Sequence, residues 1–199
     1  MLKSKLKIKL SLSGGLMIAT LFITHSYLSI AALTAAIIHE CGHIAAAKIC
    51  NIPLKELRLD IFGAALKISD EFRSYKKEIL LSVSGPLTNL ISVLLLYPIF
   101  KNNDGFLNLF LSASLFLGIL NLLPIYDFDG GRVLFCSIAY FSSPHLAAKI
   151  LNITSILLIF SLWSFSIYLL IRLSSSLSLF IFSVSLFSKF FIRKENFYY

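Results

Sequence analysis

Apolar residues are grouped along the chain in six long runs that are separated by short polar segments. A helix needs about 20 predominantly apolar residues to cross the hydrocarbon core of a bilayer, and most of these runs approach that length. The runs cover residues 10–28, 30–48, 79–100, 106–125, 149–171 and 174–191. The pattern predicts an all-α membrane protein with six transmembrane helices that form a single domain over residues 1–199.

The longest polar stretch lies between the second and third predicted helices and has a different periodicity. Its part 55–68 alternates partly between apolar and polar residues and contains Gly63. Partial alternation around a glycine is typical of two short strands joined by a turn. We therefore expect a small β-hairpin insert after the second helix, lying at the membrane surface.

Composition and charge support a membrane protein and predict its orientation. Hydrophobic residues make up 57% of the chain and charged residues 14%, whereas a soluble domain has about 25% charged residues. With a cytoplasmic N-terminus, all of the 18 Lys and Arg residues except Lys101 and Arg172 fall on the cytoplasmic side, as the positive-inside rule requires. We expect a multi-pass protein of the cell membrane with both termini cytoplasmic.

The net charge of +8 is explained by this loop asymmetry. The sequence contains no patch of interleaved basic and aromatic residues of the kind that binds nucleic acid. The lipid bilayer is therefore the expected partner of the basic residues, and no nucleic-acid partner is expected.

The second apolar run contains the motif "HECGH", which places His39, Glu40 and His43 among alanine and isoleucine residues. Residues four apart share one face of a helix, so both imidazoles point in the same direction. Two imidazoles at this spacing can hold one Zn²⁺, and the glutamate can act as a general base on a bound water. Ionisable groups inside a membrane span are rare and usually functional.

A catalytic zinc ion usually has three protein ligands, so the sequence should contain a third. Asp127 and Asp129 follow the fourth apolar run at the predicted cytoplasmic side, where the histidine pair also lies. His25 falls near the opposite membrane face, and His145 falls in a predicted loop. The spacing alone leaves open which of the two aspartates serves as the ligand.

The backbone around these aspartates is predicted to be irregular. Pro124 does not continue a helix easily, and Gly130 and Gly131 permit unusual backbone conformations. Irregular backbone at membrane depth is tolerated where it is buried in protein or lines a wet cavity. A reaction that consumes water needs such a cavity.

The motif "HECGH" followed by "NLLPIYDFDGG" resembles the site-2 protease family of intramembrane zinc metalloproteases. The second family motif, N-x-x-P-x-x-x-x-D-G, is matched by Asn121, Pro124, Asp129 and Gly130 with its spacing intact. This family hydrolyses peptide bonds of membrane-associated proteins. The resemblance extends over about residues 30–135.

The resemblance implies a role for each motif residue. His39, His43 and Asp129 would be the ligands of Zn²⁺, and Glu40 would be the catalytic base. Asp127 stands where the family motif usually has a proline. Its carboxylate either orients one of the histidines through a ring nitrogen or faces solvent.

The stretch "SGPLTN" resembles a further family element, G-P-x-x-N, through Gly85, Pro86 and Asn89. Asn89 has two interpretations. Its amide either donates a hydrogen bond to the oxyanion or to the substrate backbone, or it joins two helices by a polar contact.

Within the family, the six-span layout is most similar to the stage IV sporulation FB group, which cleaves a membrane-associated precursor of a sporulation sigma factor. The expected partners are a membrane-associated protein substrate and an inhibitory membrane partner. Members of this group often carry a nucleotide-sensing CBS domain, which this sequence is expected to lack. The alternative is a non-proteolytic membrane protein that binds or transports metal with the same ligands.

Overall fold

A computed structural model describes most of the chain and divides it into two compact units, Met1–Leu122 and Leu123–Tyr199. The described residues are 7–10, 27–52, 54–60, 63–68, 74–100, 105–173 and 177–195. The first predicted transmembrane segment, 10–28, lies almost entirely outside these residues.

Three helices form the body of the first unit. They are α1 (Tyr27–Ile49), α2 (Tyr75–Phe100) and α3 (Phe106–Asn121). Each of the three packs against the other two. The helices α1 and α2 contain the predicted second and third spans.

The buried face of α1 repeats every four residues, as expected for one face of a helix. It consists mainly of Ala31, Ala35, His39, His43 and Ala47. Small alanine side chains let neighbouring helices approach closely. The two histidines therefore occupy a stripe of the helix that otherwise carries only small apolar groups.

The first unit also contains a three-stranded sheet, in the order β1 (Lys7–Leu10), β2 (Leu54–Asp60) and β3 (Gly63–Ile68). The strands β2 and β3 pair antiparallel, with an irregularity between Leu54 and Glu56. They cover nearly the same residues, 55–68, for which the sequence predicts a hairpin. The strand β1 pairs parallel to β2 and was not predicted, because a basic four-residue segment has no distinctive strand pattern by itself.

The second unit consists of α4 (Asp129–Phe141), α5 (Pro144–Leu173) and α6 (Leu177–Glu195). The long helix α5 packs against both α4 and α6. Two buried hydroxyls, Ser166 Oγ of α5 and Ser183 Oγ of α6, lie 3.1 Å apart and form a hydrogen bond. Polar contacts of this type join helices in an apolar environment.

Several predictions about where helices begin and end are wrong. The fourth apolar run was expected to continue to residue 125, but α3 ends at Asn121. Gly130 and Gly131 were expected in irregular backbone, but they lie in the first turn of α4, a helix missing from the six predicted. His145 was expected in a loop, but it lies in the first turn of α5, because Pro144 is well tolerated at a helix start.

Three of the described helices are long and apolar enough to cross a membrane. They are Tyr27–Ile49, Tyr75–Ile99 and Pro144–Arg172. Two shorter apolar helices are Phe106–Asn121 and Leu179–Phe190. At 1.5 Å per residue, the first of these shorter helices is about 24 Å long, which is less than the ~30 Å hydrocarbon core. The count of six spans therefore stays a prediction.

The helices expose large apolar side chains on their outer surfaces. Leu94 and Ile99 of α2 are 73% and 70% exposed, and Ile171 of α5 is 74% exposed. Water-soluble proteins rarely expose extensive apolar surface of this kind, whereas lipid chains cover it at no cost. The surface is that of a membrane protein.

Candidate metal centre

The two histidines of the HExxH motif lie together in the interior of the first unit. His39 and His43 are 4% and 6% exposed. Their Nε2 atoms are 3.2 Å apart, and their rings stand nearly perpendicular, with an interplanar angle of 82°. Both side chains thus direct the same ring nitrogen towards one point.

This separation fits two ligands of one zinc ion. Histidine nitrogens bind Zn²⁺ at about 2.0–2.1 Å, and a tetrahedral angle at the metal puts two such nitrogens about 3.3 Å apart. The observed 3.2 Å agrees with that value. The residues present therefore fit a tetrahedral metal ion.

His43 is oriented by the backbone of α2. Its Nδ1 atom lies 2.7 Å from the carbonyl oxygen of Leu81, a contact in which the ring N–H donates to the carbonyl. A proton on Nδ1 leaves the lone pair of a neutral imidazole on Nε2, which is the arrangement that metal binding requires. Ser84 Oγ donates to the same carbonyl at 2.6 Å and lies 3.4 Å from His43 Nδ1.

The space in front of the two Nε2 atoms is left open by Gly85. A Cβ atom at this position would overlap Nε2 of His43 and lie 2.7 Å from Nε2 of His39. Real Cβ atoms essentially never make such contacts, so any side chain at residue 85 would displace a histidine. The space bordered by Gly85, His39 and His43, called the cradle below, is therefore open at the point where a shared cation would bind.

The next residue, Pro86, interrupts the hydrogen bonds of α2 at this turn. It lies inside the helix and has no N–H to donate to the carbonyl four residues earlier, so it favours a kink. Thr88 Oγ1 also donates to the carbonyl of Ser84 at 2.7 Å, and back-bonding of this kind often bends helices. The G-P-x-x-N element therefore shapes the backbone that faces the histidines.

Gly42 allows α1 to approach this part of α2. A Cβ atom at residue 42 would overlap the hydroxyl of Thr88 and lie 2.7 Å from the carbonyl oxygen of Ser84. The second variable position of the H-E-x-x-H motif, residue 42, is therefore restricted here to glycine by helix packing. This close contact holds His43 against α2.

Two other predicted residues of the first unit lie near the histidines. Asn89 is fully buried, and its Nδ2 atom lies 3.3 Å from His39 Nδ1. Glu40 follows His39 on α1 and is half-buried, with its Oε2 atom inaccessible to solvent.

Asp127 and Asp129 belong to the second unit. Asp129 opens α4 and is half-buried, whereas Asp127 is exposed. A carboxylate in the first turn of a helix is stabilised by the helix dipole. The role of Asp127 stays a prediction.

The loop before Asp129 is fixed by hydrogen bonds to α5. The N–H of Tyr126 donates to Ser155 Oγ at 3.0 Å, and Thr154 Oγ1 donates to the carbonyl of Pro124 at 3.2 Å. A Cβ atom at Gly131 would overlap the carbonyl oxygen of Ile125. A glycine is therefore needed at residue 131, the second glycine of the D-G-G sequence, because the loop folds back onto the first turn of α4.

Sequence reasoning missed the Leu81 carbonyl and the space that Gly85 leaves beside the histidines. The Leu81 carbonyl carries no sequence signal, because every residue has a carbonyl group. Gly85 carried one, since a glycine directly before a helix-breaking proline is unusual in an apolar run. Gly85 was predicted only as part of the G-P-x-x-N element.

Comparison with known proteins identifies relatives of this chain. The model of Peptidase family M50 matches residues 27–105, which include the HExxH motif and the cradle. Zinc metalloprotease MJ0392 of Methanocaldococcus jannaschii is 30% identical over 171 residues, which are 79% of this chain and 49% of that protein. Stage IV sporulation protein FB of Bacillus subtilis is 30% identical over 107 residues, covering 52% of this chain and 37% of that protein. The resemblance to the site-2 protease family is confirmed.

The fold agrees with that of a solved member. The Site-2 Protease from Methanocaldococcus jannaschii superposes with a TM-score of 0.65 over 94% of this chain and 89% of that chain, at 20% identity. The chain spans about half the length of MJ0392 and little over a third of Stage IV sporulation protein FB. Asp129 lies outside the part that the site-2 protease family model matches.

Proposed function

We propose that this chain is an intramembrane zinc metalloprotease of the site-2 type that hydrolyses a peptide bond of a membrane-associated protein. One observation carries the proposal. The Nε2 atoms of two buried imidazoles lie 3.2 Å apart and point towards the same space. Gly85 borders this space, and any side chain at residue 85 would fill it. A buried, preformed cradle between nitrogen ligands suits a catalytic cation.

The proposed ligand set is His39, His43 and Asp129. The family motif supports Asp129 rather than Asp127, because Asp129 occupies the D-G position. Zn²⁺ in a site with three protein ligands lowers the pKa of a bound water to about 7 and polarises the substrate carbonyl. The mixed nitrogen and oxygen donor set is a common one for zinc.

Glu40 is the proposed general base. Its carboxylate would take a proton from the attacking water and pass it to the leaving nitrogen of the peptide. The structure leaves this carboxylate half-buried, with its Oε2 atom inaccessible to solvent.

The decisive experiment compares Glu40→Gln with His39→Ala in purified protein and in cells that co-express a membrane-tethered reporter substrate. Glu40→Gln should retain zinc and lose cleavage by about 10²–10⁴-fold, the usual contribution of a general base. His39→Ala should lose both zinc and cleavage. Cleavage that persists in Glu40→Gln would overturn the proposal.

The alternative function, metal binding or transport without proteolysis, makes a different prediction for the same variant. Transport needs ligands but no base, so Glu40→Gln would retain zinc flux into proteoliposomes. Zinc flux in the wild type without cleavage of any reporter would favour this alternative.

The narrower proposal concerns the substrate. Similarity to Stage IV sporulation protein FB supports a membrane-associated sigma-factor precursor as the substrate, under the control of an inhibitory membrane partner. Co-expression with such a precursor tests this directly. Failure to cleave it would remove the sporulation role and leave the protease proposal intact.

A further inference from the structure

The side-chain amide of Asn89 is a polar partner of the outer ring nitrogen of His39. The two histidines differ in this respect. His43 Nδ1 is held by a backbone carbonyl, whereas His39 Nδ1 faces a side chain, at 3.3 Å from Asn89 Nδ2. A backbone carbonyl can only accept a hydrogen bond, but an amide can either donate or accept.

Three hydrogen bonds link Asn89, His39, His43 and the Leu81 carbonyl in one chain. Asn89 Nδ2 donates to His39 Nδ1, which leaves the proton of a neutral His39 on Nε2. That Nε2–H then donates to His43 Nε2 at 3.2 Å, and His43 Nδ1–H donates to Leu81. In this arrangement the lone pair of His39 points away from the cradle.

Metal binding requires the opposite tautomer of His39. Its Nε2 must present a lone pair, so its proton must move to Nδ1 and find an acceptor there. The amide of Asn89 carries a suitable acceptor, its Oδ1 atom. Its Oδ1 atom is fully buried and forms no hydrogen bond with the described residues, which is costly for a buried polar atom.

We propose that Asn89 is a positioning residue that selects the metal-binding tautomer of His39 through rotation of its amide. Turning the amide by half a turn exchanges Nδ2 and Oδ1. The Nδ1–H of His39 then donates to Oδ1, and Nε2 is freed for the cation. This inference rests on the proposed function, and it gives Asn89 a role on the ligand rather than on the substrate.

Two substitutions at residue 89 have opposite expected effects. Asn89→Asp supplies only acceptors, so it should fix the metal-binding tautomer permanently. Asn89→Leu has a similar size but supplies no acceptor. A buried residue that merely filled space would give the reverse order, because leucine is tolerated in an apolar interior and a buried carboxylate is not.

The test measures zinc affinity by chelator competition in detergent-solubilised full-length protein, without any measurement of cleavage. Loss of a partner of a ligating histidine typically costs 10–100-fold in metal affinity. We expect Asn89→Leu to bind zinc 10–100-fold more weakly than the wild type, and Asn89→Asp to bind at least as tightly. Ser92→Ala is the matched control, since it lies one turn further along α2 and its hydroxyl donates to the carbonyl of Thr88.

The outcomes distinguish the two proposals. A wild type that binds no zinc refutes the proposed function itself. Wild-type affinity in Asn89→Leu, or a large loss in Asn89→Asp, refutes the role of Asn89 and leaves the zinc site in place. Should the leucine variant fail to fold, Asn89→Asp decides alone, because a space-filling role requires it to lose zinc.

Discussion

Gly85 lies so close to His43 that a single methyl group at residue 85 would overlap the Nε2 atom of the imidazole. This relationship joins two sequence elements that are 42 residues apart, one on α1 and one on α2. It means that the cradle is formed as much by an absent side chain as by the histidines. The Nε2 atoms of both imidazoles face the same open space because α2 presents bare backbone to them.

Gly85→Ala should therefore weaken zinc binding. The added methyl group has to displace one of the imidazoles or push α2 away, and overpacking of this kind costs about 1–3 kcal/mol. We expect a loss of zinc affinity of roughly 5–150-fold, measured by chelator competition. Gly105→Ala is the matched control, since no atom lies within 4 Å of a Cβ atom at that position. Equal zinc affinities in Gly85→Ala and Gly105→Ala would show that the space beside Gly85 is not needed for zinc binding.

A second prediction concerns the contact between Gly42 and Thr88. Gly42→Ala places a methyl group against the Thr88 hydroxyl and the Ser84 carbonyl, which should lower the free energy of unfolding by about 1–3 kcal/mol. Thr88→Ala removes the nearest contact, that with the Thr88 hydroxyl, and leaves the Cβ atom of residue 88 at 2.9 Å. The double variant should therefore recover part of the loss, with a coupling energy of about 0.5–3 kcal/mol.

This cycle can be measured by unfolding the detergent-solubilised protein with increasing sodium dodecyl sulfate. Additive losses in the double variant would show that α1 and α2 do not meet at Gly42. Recovery should be incomplete even if the prediction is right, because the carbonyl of Ser84 remains 2.7 Å from the new Cβ atom.

The positions of the histidines could be predicted because they depend on local geometry alone. A spacing of four residues puts His39 and His43 on one face of any helix. The apolar pattern also located the long helices α1, α2 and α5, because the length of an apolar run is itself a sequence property.

Pro124 predicted irregular backbone after the fourth apolar run, but the hydrogen bonds that fix this loop could not be predicted, because their partners lie elsewhere in the chain. The hydroxyls that hold the loop, on Thr154 and Ser155, are about 30 residues further on. The same reason applies to β1, whose partner strand begins at Leu54.

A third prediction is that Ser84→Ala has only a small effect on the metal centre. The Ser84 hydroxyl lies at 3.4 Å from His43 Nδ1, which is long for a hydrogen bond, and the Leu81 carbonyl at 2.7 Å is the main partner. A neutral hydrogen bond contributes about 1 kcal/mol. Zinc affinity should therefore fall by no more than about fivefold, and a larger loss would mean that the hydroxyl orients His43 directly.

The last prediction concerns the loop that leads to Asp129. Ser155 is fully buried and accepts the N–H of Tyr126, so Ser155→Ala deprives a backbone donor of this acceptor. Loss of such a partner costs about 1–3 kcal/mol where the group is buried. We expect faster hydrogen exchange at the Tyr126 amide, because exchange reports the free energy of local opening.

Ser166→Ala provides the comparison for this experiment on the same helix. Its hydroxyl donates to the carbonyl of Trp163 and pairs with Ser183, three turns further along the helix, so the exchange rate of the Tyr126 amide should stay at the wild-type value. If Ser155→Ala also leaves that rate unchanged, the loop is held by Thr154 and Gly131 without help from Ser155. Weaker zinc binding in Ser155→Ala but not in Ser166→Ala would further link the order of this loop to the proposed role of Asp129 as a ligand.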